Sequence, residues 1–156
     1  MMIARTKWIA GTLALLMVAG ILVSPVCGGQ AGKGPLKVFI LAGQSNMEGA
    51  GAIKGNARSG GKGSLEYIVK DSETAARTKH TIDKDGKWVV RDDVWIWYFD
   101  RKGGLSAGYG SSKRSIGPEF QFGHAMGEAL DNQVLLIKTA WGGKSLQKAF
   151  RPPSSG

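Results

Sequence analysis

The amino-acid sequence predicts an α/β domain built on a parallel sheet. Two strand-length apolar runs lie far apart in the chain, at 36–42 and 134–140, and a helical pattern starting at Gly117 precedes the second run. The resulting order of strand, loop insertion, helix, strand and turn is typical of layered α/β domains. The length of 156 residues suits one domain.

Both apolar runs are rich in β-branched or aliphatic residues and nearly free of polar ones, which predicts buried strands of a parallel sheet. The first run ends at Gly43 and the second at Ala140. Between them, residues 49–64 are rich in glycine and lysine or arginine, a composition that predicts a long surface loop.

A hairpin is predicted around Asp85-Gly86, a dipeptide that favours two-residue turns. The aromatic run at 94–99 predicts a further strand, and with the hairpin it indicates an antiparallel insertion or edge. The aromatic side chains Trp95, Trp97 and Tyr98 are expected to pack in the core. The alternative is a surface on which sugars stack, because alternate residues of a strand share a face.

Residues from Pro118 onward predict a helix. Proline suits a first helical position, Glu119 complements the positive helix start, and Asn132 can end the helix. The apolar spacing of Phe122, Met126 and Leu130 gives one buried face. Two glycines in this segment, Gly123 and Gly127, would allow close approach of a neighbour. Residues 144–150 are expected to begin another helix.

Residues 1–31 predict a cleaved signal peptide: a basic start, an apolar run from Trp8 to Val23, and a small-residue exit. Cleavage is expected near Gly32, which would place the protein outside the cytoplasm. The alternative is a retained N-terminal membrane anchor, although 16 apolar residues are short for a bilayer. The lone Cys27 lies in this leader, so no disulfide is expected.

Charge gives little indication of a polyanionic partner. Without Arg5 and Lys7 the chain keeps 19 basic and 12 acidic side chains, a net charge of +7. The basic residues are scattered and form no block of like charge, which favours a solvated surface over nucleic-acid binding.

The most informative stretch is Gly43-Gln44-Ser45-Asn46, which follows the first strand. In open α/β sheets ligands bind beyond the carboxyl ends of the strands, so Ser45 is placed like a nucleophile. A backbone N–H nearby, starting with that of Ser45, could stabilise an oxyanion. The alternative is that Ser45 or Asn46 only caps a helix.

Three blocks resemble a known family. Residues 38–49 (VFILAGQSNMEG) are similar to the first signature block of the SGNH-hydrolase-like carbohydrate esterases, the sialate O-acetylesterase and acetyl xylan esterase group. Residues 116–120 (IGPEF) resemble that family's helix start, and residues 139–145 (TAWGGKS) resemble its Gly-Gly turn. The blocks occur in the same order as in the family.

The resemblance implies a three-layer α/β/α, flavodoxin-like fold over 36–156, with the C-terminal part of the domain missing. It implies a serine esterase that removes acetyl groups from O-acetylated sugars without metal or cofactor. Ser45 would be the nucleophile. Gly143 and Gly142 would supply oxyanion donors, and Gln44 and Asn46 would shape the turn or meet the substrate.

The general base is not found in the sequence. The family's Asp-x-x-His block has no counterpart here, and His80 and His124 each lack an aspartate three positions earlier. A serine needs such a base to lose its proton. We therefore expect this chain alone to be nearly inactive. The alternative is a noncatalytic exported remnant that binds carbohydrates or polyanions.

Overall fold

The protein is described here from a computed structural model that covers residues 32–145 and 147–155. The predicted signal peptide at 1–31, with Cys27 and the alternative membrane anchor, lies outside the described residues. Within the described ranges, no helix is both long and apolar enough to cross a bilayer.

Six strands and four helices make up the regular structure of the described residues. The strands are β1 Lys37–Gly43, β2 Gly51–Ala52, β3 Val94–Tyr98, β4 Arg101–Gly104, β5 Ser115–Ile116 and β6 Val134–Ala140. The helices are α1 Ser45–Glu48, α2 Leu65–Ile68, α3 Ala75–Thr78 and α4 Pro118–Ala129, with short 3₁₀ turns at Ala57–Ser59, Lys79–Thr81 and Pro153–Ser155.

The main sheet has the strand order β1-β6-β3-β4. Strand β6 pairs in parallel with β1 on one side and with β3 on the other, while β4 pairs antiparallel with β3. The predicted parallel α/β sheet is therefore confirmed, with β6 at its centre. Strands β2 and β5 form a separate two-stranded sheet.

The aromatic strand lies deeper in the fold than the sequence indicated. Residues 94–98 form β3 inside the main sheet, and the antiparallel hairpin of the domain is the pair β3–β4. The predicted Asp85-Gly86 turn is present, closed by an isolated bridge between Ile82 and Trp88. Pairing with β6 could not be inferred from the run itself, because an aromatic strand suits either position.

The prediction that both tryptophans of β3 are core residues is wrong. Val94, Ile96 and Tyr98 are buried, whereas Trp95 and Trp97 are 54% and 53% exposed on the opposite face. The same face carries the exposed apolar side chains of β1, Val38 and Ile40. Among the described residues no helix covers this face of the sheet.

The other face of the sheet carries the core. The buried residues Val94, Ile96, Leu105, Val134 and Leu136 pack with partly buried side chains of α4, including Phe122 and Met126.

Helix α4 lies close to this core, as its glycines predicted. A Cβ on Gly123 would lie 2.2 Å from Leu105 Cδ2, and one on Gly127 would lie 2.6 Å from Arg91 Nη2. The helix ends at Ala129, before the predicted Asn132. Residues 144–150 contain only turns among their described residues, including one bond from the Ala149 N–H to the Ser145 carbonyl at 2.9 Å, instead of the predicted helix start.

Candidate active site

The parallel pairing of β1 and β6 brings the predicted site residues to one edge of the sheet. Gly43 is in register with Ala140, the last residue of β6. The Trp141 N–H donates to the Gly43 carbonyl at 3.3 Å, which ties the two following turns together. All five predicted residues are exposed and lie directly after these two strands. Gln44, Ser45 and Asn46 belong to the segment 44–49, which contains α1 and is called the serine turn below, and Gly142 and Gly143 form the turn after β6.

Ser45 begins the short helix α1 and its hydroxyl makes no hydrogen bond with any described residue. The cap position is Gln44, and no side chain caps this helix. The alternative role of Ser45 or Asn46 as a helix cap is therefore wrong. Backbone bonds fix the turn instead: the Glu48 N–H donates to the Gln44 carbonyl at 2.7 Å, and the Gly49 N–H to the Ser45 carbonyl at 2.9 Å.

The two glycines after β6 differ in conformation and in surroundings. Gly143 has φ +69°, a left-handed conformation that favours glycine, and a Cβ there would meet nothing within 4 Å. A Cβ on Gly142 would lie 2.6 Å from Glu48 Oε2. The turn therefore needs the backbone freedom of glycine at Gly143, whereas at Gly142 an added Cβ would meet only the end of the Glu48 side chain.

A buried tyrosine links the two turns. The Tyr98 hydroxyl lies 2.9 Å from the Ala140 carbonyl and 3.2 Å from Glu48 Oε1, and it can donate its proton to either. Burial, followed by the negative charge of Glu48, raises the pKa of Tyr98 to about 12. The hydroxyl therefore stays protonated and remains a donor between the serine turn and the end of β6.

Beneath this tyrosine lies a fully buried ion pair, Lys138–Glu119. The Lys138 ammonium donates to Glu119 Oε2 at 2.6 Å and to the carbonyls of Glu48 at 2.7 Å and Tyr109 at 2.8 Å. Glu119 Oε1 accepts the Gly117 N–H at 2.8 Å. Burial lowers the pKa of Lys138 and raises the pKa of Glu119, and the attraction between the two charges opposes both shifts.

This network was missed at the sequence level, apart from Glu119 as a helix-start residue. Its signal in the sequence is a single lysine, Lys138, inside the apolar run of β6, together with Glu119 in the block at 116–120. The network joins β6, the end of α1 and the start of α4, so it fixes the height of the serine turn above the sheet.

The two histidines lie against each other. Their rings meet edge to face at 5.2 Å, and the ring of His124 also contacts Phe120 at 4.9 Å. His124 is fully buried and neither ring nitrogen has a hydrogen-bond partner. The His80 ring lies 3.4 Å from the Gln121 amide nitrogen. Among the described residues, no imidazole is hydrogen-bonded to Ser45.

The burial of His124 should make the free energy of unfolding sensitive to acid. Burial, followed by the positive charges of Arg91 and His80, lowers its pKa from 6.5 to about 4, while Glu128 and Asp93 oppose the shift. As the pH falls, His124 therefore binds a proton in the unfolded chain before it does so in the folded protein. Its contribution to the free energy of unfolding is complete above pH 6.5 and is lost as the pH falls towards 4. The expected loss between pH 7 and pH 5 is about 2 kcal/mol.

Urea unfolding of the parent and of His124→Leu at both pH values measures this effect. Leucine does not titrate, so the variant should lack the part of the pH dependence that comes from this site. Equal pH dependence of the two proteins would contradict the prediction.

An open cavity of about 260 Å³ lies beside the serine turn, lined by Ala42, Gly43, Gln44, Lys144 and Phe150. Lys144 is the one charged side chain among these lining residues. Across the described residues, no group of three or more histidine, cysteine or acidic side chains is arranged to hold a metal ion.

Comparison with known proteins gives one match. The family model described as carbohydrate esterase, sialic acid-specific acetylesterase matches residues 35–155. Comparisons with curated proteins and with solved structures gave no match. The matched range contains β1, α4, β6 and both turns of the candidate site.

Proposed function

The chain belongs to the carbohydrate esterase, sialic acid-specific acetylesterase family, and from this premise we propose that Ser45 is the nucleophile of a carbohydrate O-acetylesterase. The observation that carries the proposal is the exposed hydroxyl of Ser45, which has no hydrogen-bond partner among the described residues and lies on a turn adjacent to the Gly142–Gly143 turn. The predicted leader would place this activity outside the cytoplasm.

The reaction needs two steps at the same atom. The Ser45 Oγ attacks the acetyl carbonyl carbon, the ester bond to the sugar breaks, and the sugar leaves with a proton as its alcohol. Water then attacks the acetyl-serine, which releases acetate and restores the hydroxyl. In both steps negative charge develops on the carbonyl oxygen.

Backbone N–H groups of Ser45, Gly143 and Gly142 are the proposed donors to that oxygen. A donor of this kind lowers the barrier by about 3 kcal/mol when it is held in place beforehand. The network of Tyr98, Lys138 and Glu119 supports such placement, because it connects α1, β6 and α4 through buried hydrogen bonds. Gln44 and Asn46 flank the nucleophile and are proposed substrate contacts.

The proton of Ser45 requires a general base, which contributes about 10²- to 10⁴-fold to such reactions. The ring nitrogens of His124 are buried, and His80 lies against Gln121 and His124. We therefore propose that Ser45 is acetylated slowly in this protein and that imidazole added to the solution accelerates this acetylation.

The test is site-specific acetylation. The chain is incubated with 4-nitrophenyl acetate, with and without imidazole, and acetylation of each serine is measured by peptide mass spectrometry. Ser45 should be acetylated at least about tenfold faster than the exposed Ser72, and imidazole should increase the difference. Ser45→Ala should remove the acetylated peptide, whereas Ser72→Ala should leave it unchanged.

Two results would change the proposal. Equal acetylation of Ser45 and Ser72 would exclude a selective nucleophile. Rapid hydrolysis of an acetyl ester without imidazole, abolished in Ser45→Ala, would show that the protein already has its base and that our assignment of the histidines is wrong.

A second candidate function is noncatalytic carbohydrate binding, favoured by one observation. Trp95 and Trp97 are half exposed on the same face of β3, and their indole N–H groups are already bonded to the carbonyls of Asp92 and Phe99. Their flat faces therefore suit stacking more than hydrogen bonding. Saturable glycan binding that is lost in Trp95→Ala and Trp97→Ala but kept in Ser45→Ala would support this function.

A further inference from the structure

Three aromatic side chains form a continuous cluster next to the Gly142–Gly143 turn. The ring of Trp141 meets Phe99 at 5.5 Å and Phe150 at 5.3 Å, both edge to face. Phe99 is 46% exposed and Trp141 is 39% exposed. Burial in the core therefore does not account for the cluster, and its position is at the same edge of the sheet as Ser45.

Phe99 adopts an unusual backbone conformation. Its φ of +53° is the one positive value found at a non-glycine position among the described residues. For a bulky residue this conformation costs about 1–2 kcal/mol. Phe99 is the first residue of the two-residue turn between β3 and β4, a position that favours positive φ, so the turn places the Phe99 ring beside Trp141. Neighbours hold it in place: the Trp97 indole donates to the Phe99 carbonyl at 2.8 Å, and the Tyr98 ring lies 4.4 Å from the Phe99 ring.

One member of the cluster lines the cavity beside the nucleophile. Phe150 and Gln44, the residue before Ser45, are both among the lining residues of this cavity of about 260 Å³, and Trp141 contacts Phe150 from outside the lining. Cavities that hold drug-sized ligands measure roughly 300–1,000 Å³. The smaller volume suits a single sugar ring, and the lining includes Gln44, the neighbour of Ser45.

We propose that Phe99, Trp141 and Phe150 form the subsite for the sugar ring whose acetyl ester meets Ser45. The apolar C–H face of a pyranose lies against the aromatic rings, and the Lys144 ammonium at the cavity rim donates to oxygens of the ring substituents. The identity of the ligand rests on the proposed function, and the location of the subsite rests on the aromatic cluster and on the cavity that Phe150 lines.

The same stacking chemistry would serve an acidic or a neutral sugar. An acidic sugar has a carboxylate that Lys144 would attract, and the described residues that line the cavity include no acidic side chain. A neutral sugar offers only hydroxyls to this lysine. Lys144→Met therefore distinguishes the two sources: it should weaken binding of the acidic sugar and leave that of the neutral sugar nearly unchanged.

The experiment measures binding without turnover, on a Ser45→Ala background, by NMR titration with 9-O-acetyl-N-acetylneuraminic acid and with acetylated xylobiose. Trp141→Ala should raise the dissociation constant of the bound sugar about tenfold, which corresponds to about 1.4 kcal/mol. Trp141→Phe keeps an aromatic ring and should stay within about threefold. Trp95→Ala is the matched control, since Trp95 is exposed but pairs with Leu135 near the opposite end of β6.

The outcomes separate this inference from the proposed function. Dependence of binding on Trp141 supports the subsite even where Ser45 proves not to be acetylated. Binding that is equally weakened by Trp141→Ala and Trp95→Ala, or lost only in Trp95→Ala, would overturn the subsite, and so would the absence of binding of both sugars to a folded parent.

Discussion

Lys138→Met is expected to lower the free energy of unfolding by about 3–5 kcal/mol, the usual cost of breaking a buried ion pair from one side. The substitution leaves the Glu119 carboxylate in the interior without its cation. It also removes the donor to the carbonyls of Glu48 and Tyr109, which lie 2.7 Å and 2.8 Å from the ammonium. The loss should be visible as a lower midpoint in urea unfolding followed by circular dichroism.

Two further variants identify the cause. Lys84→Met removes a lysine from an exposed turn and should change stability by less than about 0.5 kcal/mol. The double variant Lys138→Met/Glu119→Gln removes both buried charges and keeps an acceptor for the Gly117 N–H, so it should recover a substantial part of the loss. A Lys138→Met protein as stable as Lys84→Met would contradict the interpretation of the ion pair.

Much of the fold follows from the sequence because its strands are long apolar runs. The predicted strand 134–140 has the same bounds as β6, and the predicted strand 36–42 differs from β1 by one residue at each end. Parallel strands at adjacent positions necessarily bring their carboxyl ends together. The convergence of Ser45 with Gly142 and Gly143 at one edge was therefore predictable before any contact was known.

The faces of β3 were not predictable in the same way. Both sets of alternating side chains are large and apolar, Val94, Ile96 and Tyr98 on one face and Trp95 and Trp97 on the other. Because the whole run is apolar, it lacks the alternation of apolar and polar residues that would indicate which face is covered. The burial of one face is decided by α4, which packs on the side that carries Ile96 and Leu136.

The buried network was beyond local reasoning for a different reason. Lys138 contacts Glu119 and the carbonyl of Glu48, which lie 19 and 90 positions away in the chain. A lysine in an apolar run only indicates that a partner is needed, because an unpaired buried charge is costly. The identity of that partner depends on which loops the fold brings above β6.

Gly49→Ala is expected to be the most disruptive of the glycine substitutions near the site. Gly49 follows α1 with φ +80° and is buried against the start of α4, where an added Cβ would lie 2.1 Å from the Gly117 Cα. Backbone strain of about 1–2 kcal/mol then adds to an overpacking cost of about 1–3 kcal/mol, so a total of about 3 kcal/mol is expected in urea unfolding.

Gly86→Ala separates the two contributions to that total. Gly86 has φ +75° in the exposed turn, but a Cβ there would meet nothing within 4 Å, so only the strain remains. Its expected cost is about 1 kcal/mol. The Gly49 carbonyl also accepts the Ser111 N–H, and the Gly49 N–H donates to the Ser45 carbonyl. Gly49→Ala should therefore slow acetylation of Ser45, whereas Gly86→Ala should leave it unchanged. Equal destabilisation by the two substitutions would show that the backbones at the end of α1 and the start of α4 are not in close contact. The argument that this contact holds Ser45 in a fixed position above the sheet would then fail.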